Sequence, residues 1–131
     1  LHPLFLKTLE FSMRVIIAGG REVTGEKADE LVREAISKSG WAGKITQIIH
    51  GAASGVDSAA HRVCEGLWPV KPVPADWKAH GRAAGPIRNR QMAGMADALI
   101  AVWDGKSRGT RNMIETAASA GLDFYIHRYE S

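Results

Sequence analysis

The sequence predicts an α/β fold, a Rossmann-like open parallel sheet of about five strands with helices on both faces. Three observations carry this expectation. Short apolar runs of strand length alternate with stretches whose apolar residues recur at helical spacing. The runs are apolar almost throughout, as strands buried on both faces are. Glycines gather where the runs end. Strand and helix alternating in this way require right-handed crossovers between parallel strands, which puts helices on both sides of the sheet.

Arg14-Val15-Ile16-Ile17-Ala18-Gly19-Gly20 reads as the first buried strand, closed by a tight turn. A helix follows, with Ala28, Leu31, Val32, Ala35 and Ile36 on one face and Glu26, Lys27, Glu30, Arg33 and Glu34 on the other, stopped by Gly40. Ile45 to His50 is the second strand, and Ala60, Val63, Cys64 and Leu67 form the apolar stripe of the second helix. Val70 to Pro74 is a short extended piece. Pro72 and Pro74 donate no hydrogen bond, so it belongs at an edge of the sheet. The connection from Ala75 to Pro86 has the length of a lid, and a third helix presents Met92, Met95 and Ala96. Ala98 to Trp103 is the cleanest buried strand. A helix from about Gly109 to Ala120 and a last strand at Phe124-Tyr125-Ile126 complete the series.

Length and composition set the bounds. A chain of 131 residues with 45% hydrophobic residues closes one core, so residues 13–131 are expected to form a single domain. Leu1 to Ser12 read as a leader or arm, because Met13 directly precedes the first strand and has the look of a natural start. The lone Cys64 suits a buried thiol in a reducing compartment, and no apolar stretch is long enough to cross a bilayer, so the cytoplasm is expected and a membrane is not. No histidine has the company that a metal site needs, and no cofactor motif is present. The formal net charge is +3, and its distribution is uneven. From Lys78 to Asn112 there are seven basic residues against two acidic ones, a balance suited to phosphate or nucleic acid.

Ligands of open parallel sheets sit beyond the carboxyl ends of the strands, where three polar, glycine-bearing junctions fall. Gly19-Gly20-Arg21-Glu22 sets a guanidinium at a strand tip, placed to take phosphate through two parallel hydrogen bonds. Gly51 to His61 carries Gly51, Ser54, Gly55 and Asp57 into a helix start, the pattern of a phosphate-binding turn. Ser54 or Asp57 would cap that helix, and Asp57 could also turn an oxygen toward a ribose hydroxyl. Asp104-Gly105-Lys106-Ser107-Arg108-Gly109-Thr110 offers hydroxyl and main-chain donors at the mouth of the best strand, although its spacing is not that of a P-loop. Asp104 either binds ribose or ends the strand. Between these junctions, Gly85-Pro86-Ile87-Arg88-Asn89-Arg90 loads the start of a helix with Arg88, Asn89 and Arg90. Trp77 either stacks on a base or plugs the core.

Together these residues resemble the SLOG superfamily of Rossmann-like nucleotide-binding domains, nearest to its YspA/YpsA-related branch, over about Met13 to Ile126. Two further likenesses are more distant. Gly51 to His61 and Arg88-Asn89-Arg90 are similar to the DNA-processing protein A family, whose domain binds single-stranded DNA. Arg88 to Thr110 resembles the Lonely guy phosphoribohydrolases, which cleave nucleoside monophosphates. The latter resemblance implies that Arg88 is catalytic together with a glutamate three residues after Thr110. That position is Met113 here, and Glu115 lies roughly 200° away around the helix at about 100° per residue. The resemblance therefore implies binding or sensing of a nucleotide-derived small molecule. Nucleotide N-glycosidase activity through Arg88 and a carboxylate, Glu22, Asp57 or Glu115, and single-stranded DNA binding stand as alternatives. It also implies a homo-oligomer, in which one subunit completes another's pocket.

Overall fold

The computed structural model describes residues 12–131, and the expectation for the leader falls on residues that, Ser12 apart, lie outside that range. Five strands form one wholly parallel sheet: β1 (Met13–Gly19), β2 (Ile45–His50), β3 (Val70–Pro72), β4 (Ala98–Trp103) and β5 (Asp123–Arg128), in the order β3-β2-β1-β4-β5. This is the expected α/β Rossmann-like fold. The chain order reverses between β1 and β4, and a crevice opens there at the carboxyl edge.

The side-chain alternation of β1 and β4 divides the core in two. Val15 and Ile17 with Ala98, Ile100 and Val102 face α1 (Gly25–Ser39) and α2 (Val56–Cys64). Ile16 and Ala18 with Leu99 and Ala101 face α4 (Ala84–Ala93) and α5 (Arg108–Ser119). Gly40 ends α1 in the left-handed conformation at φ 77°, its N–H on the Ser37 carbonyl. β3 lies at the sheet edge, as its prolines require.

Two expectations are corrected. α2 stops at Cys64, because the N–H groups of Leu67 and Trp68 turn back onto the Cys64 carbonyl, and Leu67 is left 66% exposed instead of joining the apolar stripe. The stretch after β3 is not a long lid. A one-turn helix α3 (Trp77–His80), opened by the Ala79 N–H on Asp76 Oδ1, and a short 3-10 turn lead directly into α4. α4 begins at Ala84, so Pro86 occupies its third position, where no intrahelical N–H is called for.

Candidate functional site

A cavity of about 1090 Å³ occupies the carboxyl edge at the β1–β4 reversal. The expected residues Gly19, Gly20, Arg21 and Asp57 line it from the β1 and β2 side. Trp77, Arg88 and Asn89 line it from α3 and α4, and Asp104, Ser107, Arg108, Gly109 and Thr110 from the β4–α5 junction. Gly51 and Ser54 border a neighbouring pocket instead, while Gly55, Arg90, Gly105 and Glu115 line neither. Glu115 is exposed on the far side of α5, so the catalytic assignment to it is corrected. Arg88 and Arg90 are separated by some 200° of helix, which buries one and leaves the other in solvent.

The turn after β2, which has the sequence of a phosphate cradle, spends several of its donors inside the chain. Ala52 N–H bonds His50 Nδ1 at 3.0 Å, Ala53 N–H bonds Asp57 Oδ2 at 3.2 Å, and Val56 N–H bonds the Gly20 carbonyl at 3.0 Å. Ser54 donates to the Arg21 carbonyl at 3.4 Å. Neither Ser54 nor Asp57 caps α2, whose N-cap is Gly55. The glycines here serve close packing. A Cβ at Gly51 would run into the Arg88 guanidinium and lie 2.9 Å from Asp57 Oδ2, and one at Gly55 would overlap the Gly20 carbonyl. At Gly19 it would sit 2.6 Å from the Val102 carbonyl oxygen.

The β4–α5 junction is the open one. Asp104 Oδ1 accepts the N–H groups of Lys106 and Ser107 at 2.8 and 2.9 Å, which folds the loop and holds the Asp104 carboxyl below its ordinary pKa. Ser107 caps α5 by accepting the Thr110 N–H at 3.4 Å, and its hydroxyl meets the Thr110 hydroxyl at 2.9 Å. The first-turn amides of Arg108 and Gly109 have no intrahelical acceptor, and a Cβ at Gly109 would meet nothing within 4 Å. Arg21, Lys27, Lys106 and Arg108 bring positive charge to the cavity. The ion pairs among the described residues are Arg14–Asp97, Arg62–Asp29 and His127–Glu34, so none of these four cations has an ion-pair partner among the described residues.

Beneath the cavity, polar groups are buried and connected. Arg88 donates to the Gly51 carbonyl and, through Nε, to Asn89 Oδ1 at 3.0 Å, and Asn89 donates to Asn112 Oδ1 at 2.9 Å. Burial pulls the Arg88 pKa down, and burial pushes Asp57 up to about 6 against the opposing Ala53 hydrogen bond and Arg88 charge. His50 is held neutral, down at about 4, by burial and then by His61 and Arg88. Its Nδ1 accepts from Ala52, so its Nε2–H donates to His61 Nδ1 at 2.9 Å. Trp77 is no core plug. It is 49% exposed, with the Arg21 guanidinium 5.2 Å over its ring.

Lys27, Asn112, Tyr129 and Glu130 also line the cavity and were not singled out from the sequence. Asn112 carried a legible signal, since it lies four residues beyond Arg108 on the same helix. Tyr129 arrives only through the β4–β5 register, which sets Trp103 beside Arg128. Among the described residues, no helix is long and apolar enough to cross a membrane.

Comparison with known proteins places this geometry. No family model matches the chain. DNA processing protein A (DprA) from Streptococcus pneumoniae superimposes with a TM-score of 0.68 at 22% identity, over 92% of this chain and 52% of that one. The chain thus spans about half of that protein's length. DNA processing protein A from Helicobacter pylori, described for its single-stranded DNA binding mode, gives 0.65 at 18% identity over 92% of this chain and 67% of that one. The protein TM1055 gives 0.59 at 19% over 86% and 72%. At these identities the likeness is one of fold. The sequence itself aligns with the Gene 61 protein of Mycobacterium phage D29, 36% identical over 123 residues and covering 83% of this chain and 91% of the phage protein, and the chain therefore belongs to the family of that protein.

Proposed function

We propose that the cavity binds a nucleotide-derived small molecule, in keeping with a SLOG domain of the YspA/YpsA-related branch. The observation that carries this reading is the open first turn of α5 at the β1–β4 crevice, with Gly109 unobstructed and with Arg21, Lys106 and Arg108 around it, none of which has an ion-pair partner among the described residues. A phosphate resting on the Arg108 and Gly109 amides gains helix-dipole and guanidinium charge together. Ala18, Met92 and Met113 supply an apolar floor for a base, and the Asp57 carboxyl a partner for a ribose hydroxyl.

Calorimetric titration with AMP, GMP, CMP and UMP tests this. At least one should bind, and Gly109→Ala should weaken it tenfold or more, because the added methyl stands where the phosphate rests. The same change leaves the fold intact or firmer, since alanine is favoured over glycine within a helix by about 0.5–1 kcal/mol. Absence of heat from all four nucleotides overturns the reading.

One surface favours a second reading, single-stranded DNA binding. Arg111 and Arg128 lie 5.7 and 5.9 Å over the Trp103 ring, held by cation–π contact without loss of charge, next to the α5 turn. The Helicobacter pylori neighbour, with its single-stranded DNA binding mode, lends it further support. Oligonucleotide affinity would then fall steeply with salt, and Arg111→Ala with Arg128→Ala would flatten the slope by about 1.4 in log–log terms. No oligonucleotide binding at low salt dismisses it.

A further inference from the structure

The two edges of the sheet are built differently. β3 is three residues long, carries Lys71 and Pro72 and is followed by Pro74, features that keep another strand from adding to it. β5 has six residues in unbroken register with β4, and neither proline nor lysine interrupts it. Its Phe124 is 46% exposed, a large aromatic side chain on an unguarded edge. The main chain of this edge is open as well. In a parallel ladder each residue turns its N–H and C=O to the same neighbour, and successive residues alternate between neighbours. The Tyr129 N–H on the Trp103 carbonyl sets the phase, so Tyr125 and His127 serve β4, whereas Phe124, Ile126 and Arg128 turn their main-chain groups outward. Among the described residues no further strand lies beside them, and no turn or loop hydrogen bond reaches them.

We propose that β5 pairs antiparallel with the β5 of a second copy of this chain, about a two-fold axis at Ile126, so that one sheet runs through both copies. The outward groups set the register. With Ile126 opposite its own counterpart, Phe124 falls opposite the second copy's Arg128, and all three outward residues exchange both hydrogen bonds with their opposites. Moving the axis to Tyr125 would set Arg128 against Leu122, outside the strand. The side chains agree with this register. Ile126 packs in the α5 layer and Tyr125 in the α1 layer, and the pairing keeps each on its own face. Ile126 then meets Ile126, and the stem of Arg128 covers the exposed Phe124 ring of the other copy. Charge selects the direction. β5 begins on Asp123 and ends on His127 and Arg128, so an antiparallel partner brings the acidic start beside the basic end, whereas a parallel one would align like with like. The two β1–β4 crevices open at opposite ends of the joined sheet, and the pairing does not depend on what they bind.

The test is sedimentation velocity on the full chain over a concentration series from micromolar to submillimolar, with amide hydrogen exchange read by NMR at both ends of the series. The wild-type protein should pass from monomer to dimer. At the dimer end the Phe124, Ile126 and Arg128 amides should become protected, while those of Tyr125 and His127, already bonded to β4, are protected throughout. Phe124→Pro removes an outward N–H that β4 does not use, at a position where an edge strand tolerates proline, and should weaken association at least tenfold. Phe124→Lys, which keeps every main-chain bond and adds an edge charge, should do the same, and it serves if the proline lowers the melting temperature. A wild-type chain that stays monomeric throughout the series overturns the inference. So does a dimer that persists undiminished in a folded variant, or one that forms without protection of the three outward amides.

Discussion

Asn89 donates its side-chain amide to Asn112 Oδ1 at 2.9 Å, and the direction of that bond is dictated by the residue before it. A guanidinium only donates, so Arg88 Nε commits Asn89 to accept with its oxygen and to give with its nitrogen. Asn112 must then accept, and its own NH2 is the group left for the cavity that it lines. A buried arginine thereby sets a donor at the ligand site on the next helix.

Asn89→Asp reverses the polarity. Aspartate only accepts, so Asn112 turns to donate to it and presents its carbonyl to the cavity. Exchanging one donor for an acceptor is worth about 1–1.5 kcal/mol, and nucleotide affinity should fall about tenfold in calorimetry.

Gly51 and Gly109 should respond in opposite ways to the same methyl group. At Gly51 the methyl meets the Arg88 guanidinium and Asp57, and overpacking of this kind costs about 1–3 kcal/mol in urea denaturation. At Gly109 it meets open space, and stability holds while ligand binding is lost.

Asp57 destabilises the fold as it ionises. Its folded pKa of about 6 stands above the ordinary 3.8, so its favourable contribution is complete below about pH 4 and disappears as pH rises through 6. Asp57→Asn retains an acceptor for the Ala53 N–H and lacks the charge. It should be more stable than the parent at pH 7 by up to about 3 kcal/mol and should lose that advantage at pH 4, as read from urea midpoints across that range.

His50 works in the other direction. With its folded pKa down at about 4, against an ordinary 6.5, its contribution is present above pH 6.5 and drains away as pH falls through 4. Between pH 4 and 6 the two groups oppose each other. The slope of stability against pH should tilt upward in Asp57→Asn and downward in His50→Gln, with the wild-type protein between them. Parallel slopes in the two variants would contradict the assignment.

The fold was legible because apolar runs such as Val15 to Ala18 and Leu99 to Val102 have one use in a chain of this size, and because Gly40 marks a helix end by its own backbone freedom. The end of α2 was hidden, since Leu67 fits the helical period and only the turn back onto Cys64 removes it. At the site, sequence pattern located the strand tips and did not say which tip has free donors. That depends on Val56 meeting Gly20, a contact between residues far apart in the chain. Arg88 and Arg90 look equivalent in the sequence, and helix phase alone separates their fates.

The union of the first two strand tips has a practical consequence. With Val56 seated on Gly20, Ser54 on Arg21 and Gly55 closed against both, the loops after β1 and β2 form a single casting, and a change in one is passed to the other and down to Asp57. The opening of α5 belongs to a separate piece. Anyone wishing to retune what this protein accepts would find there a face that can be recut without recasting the mould.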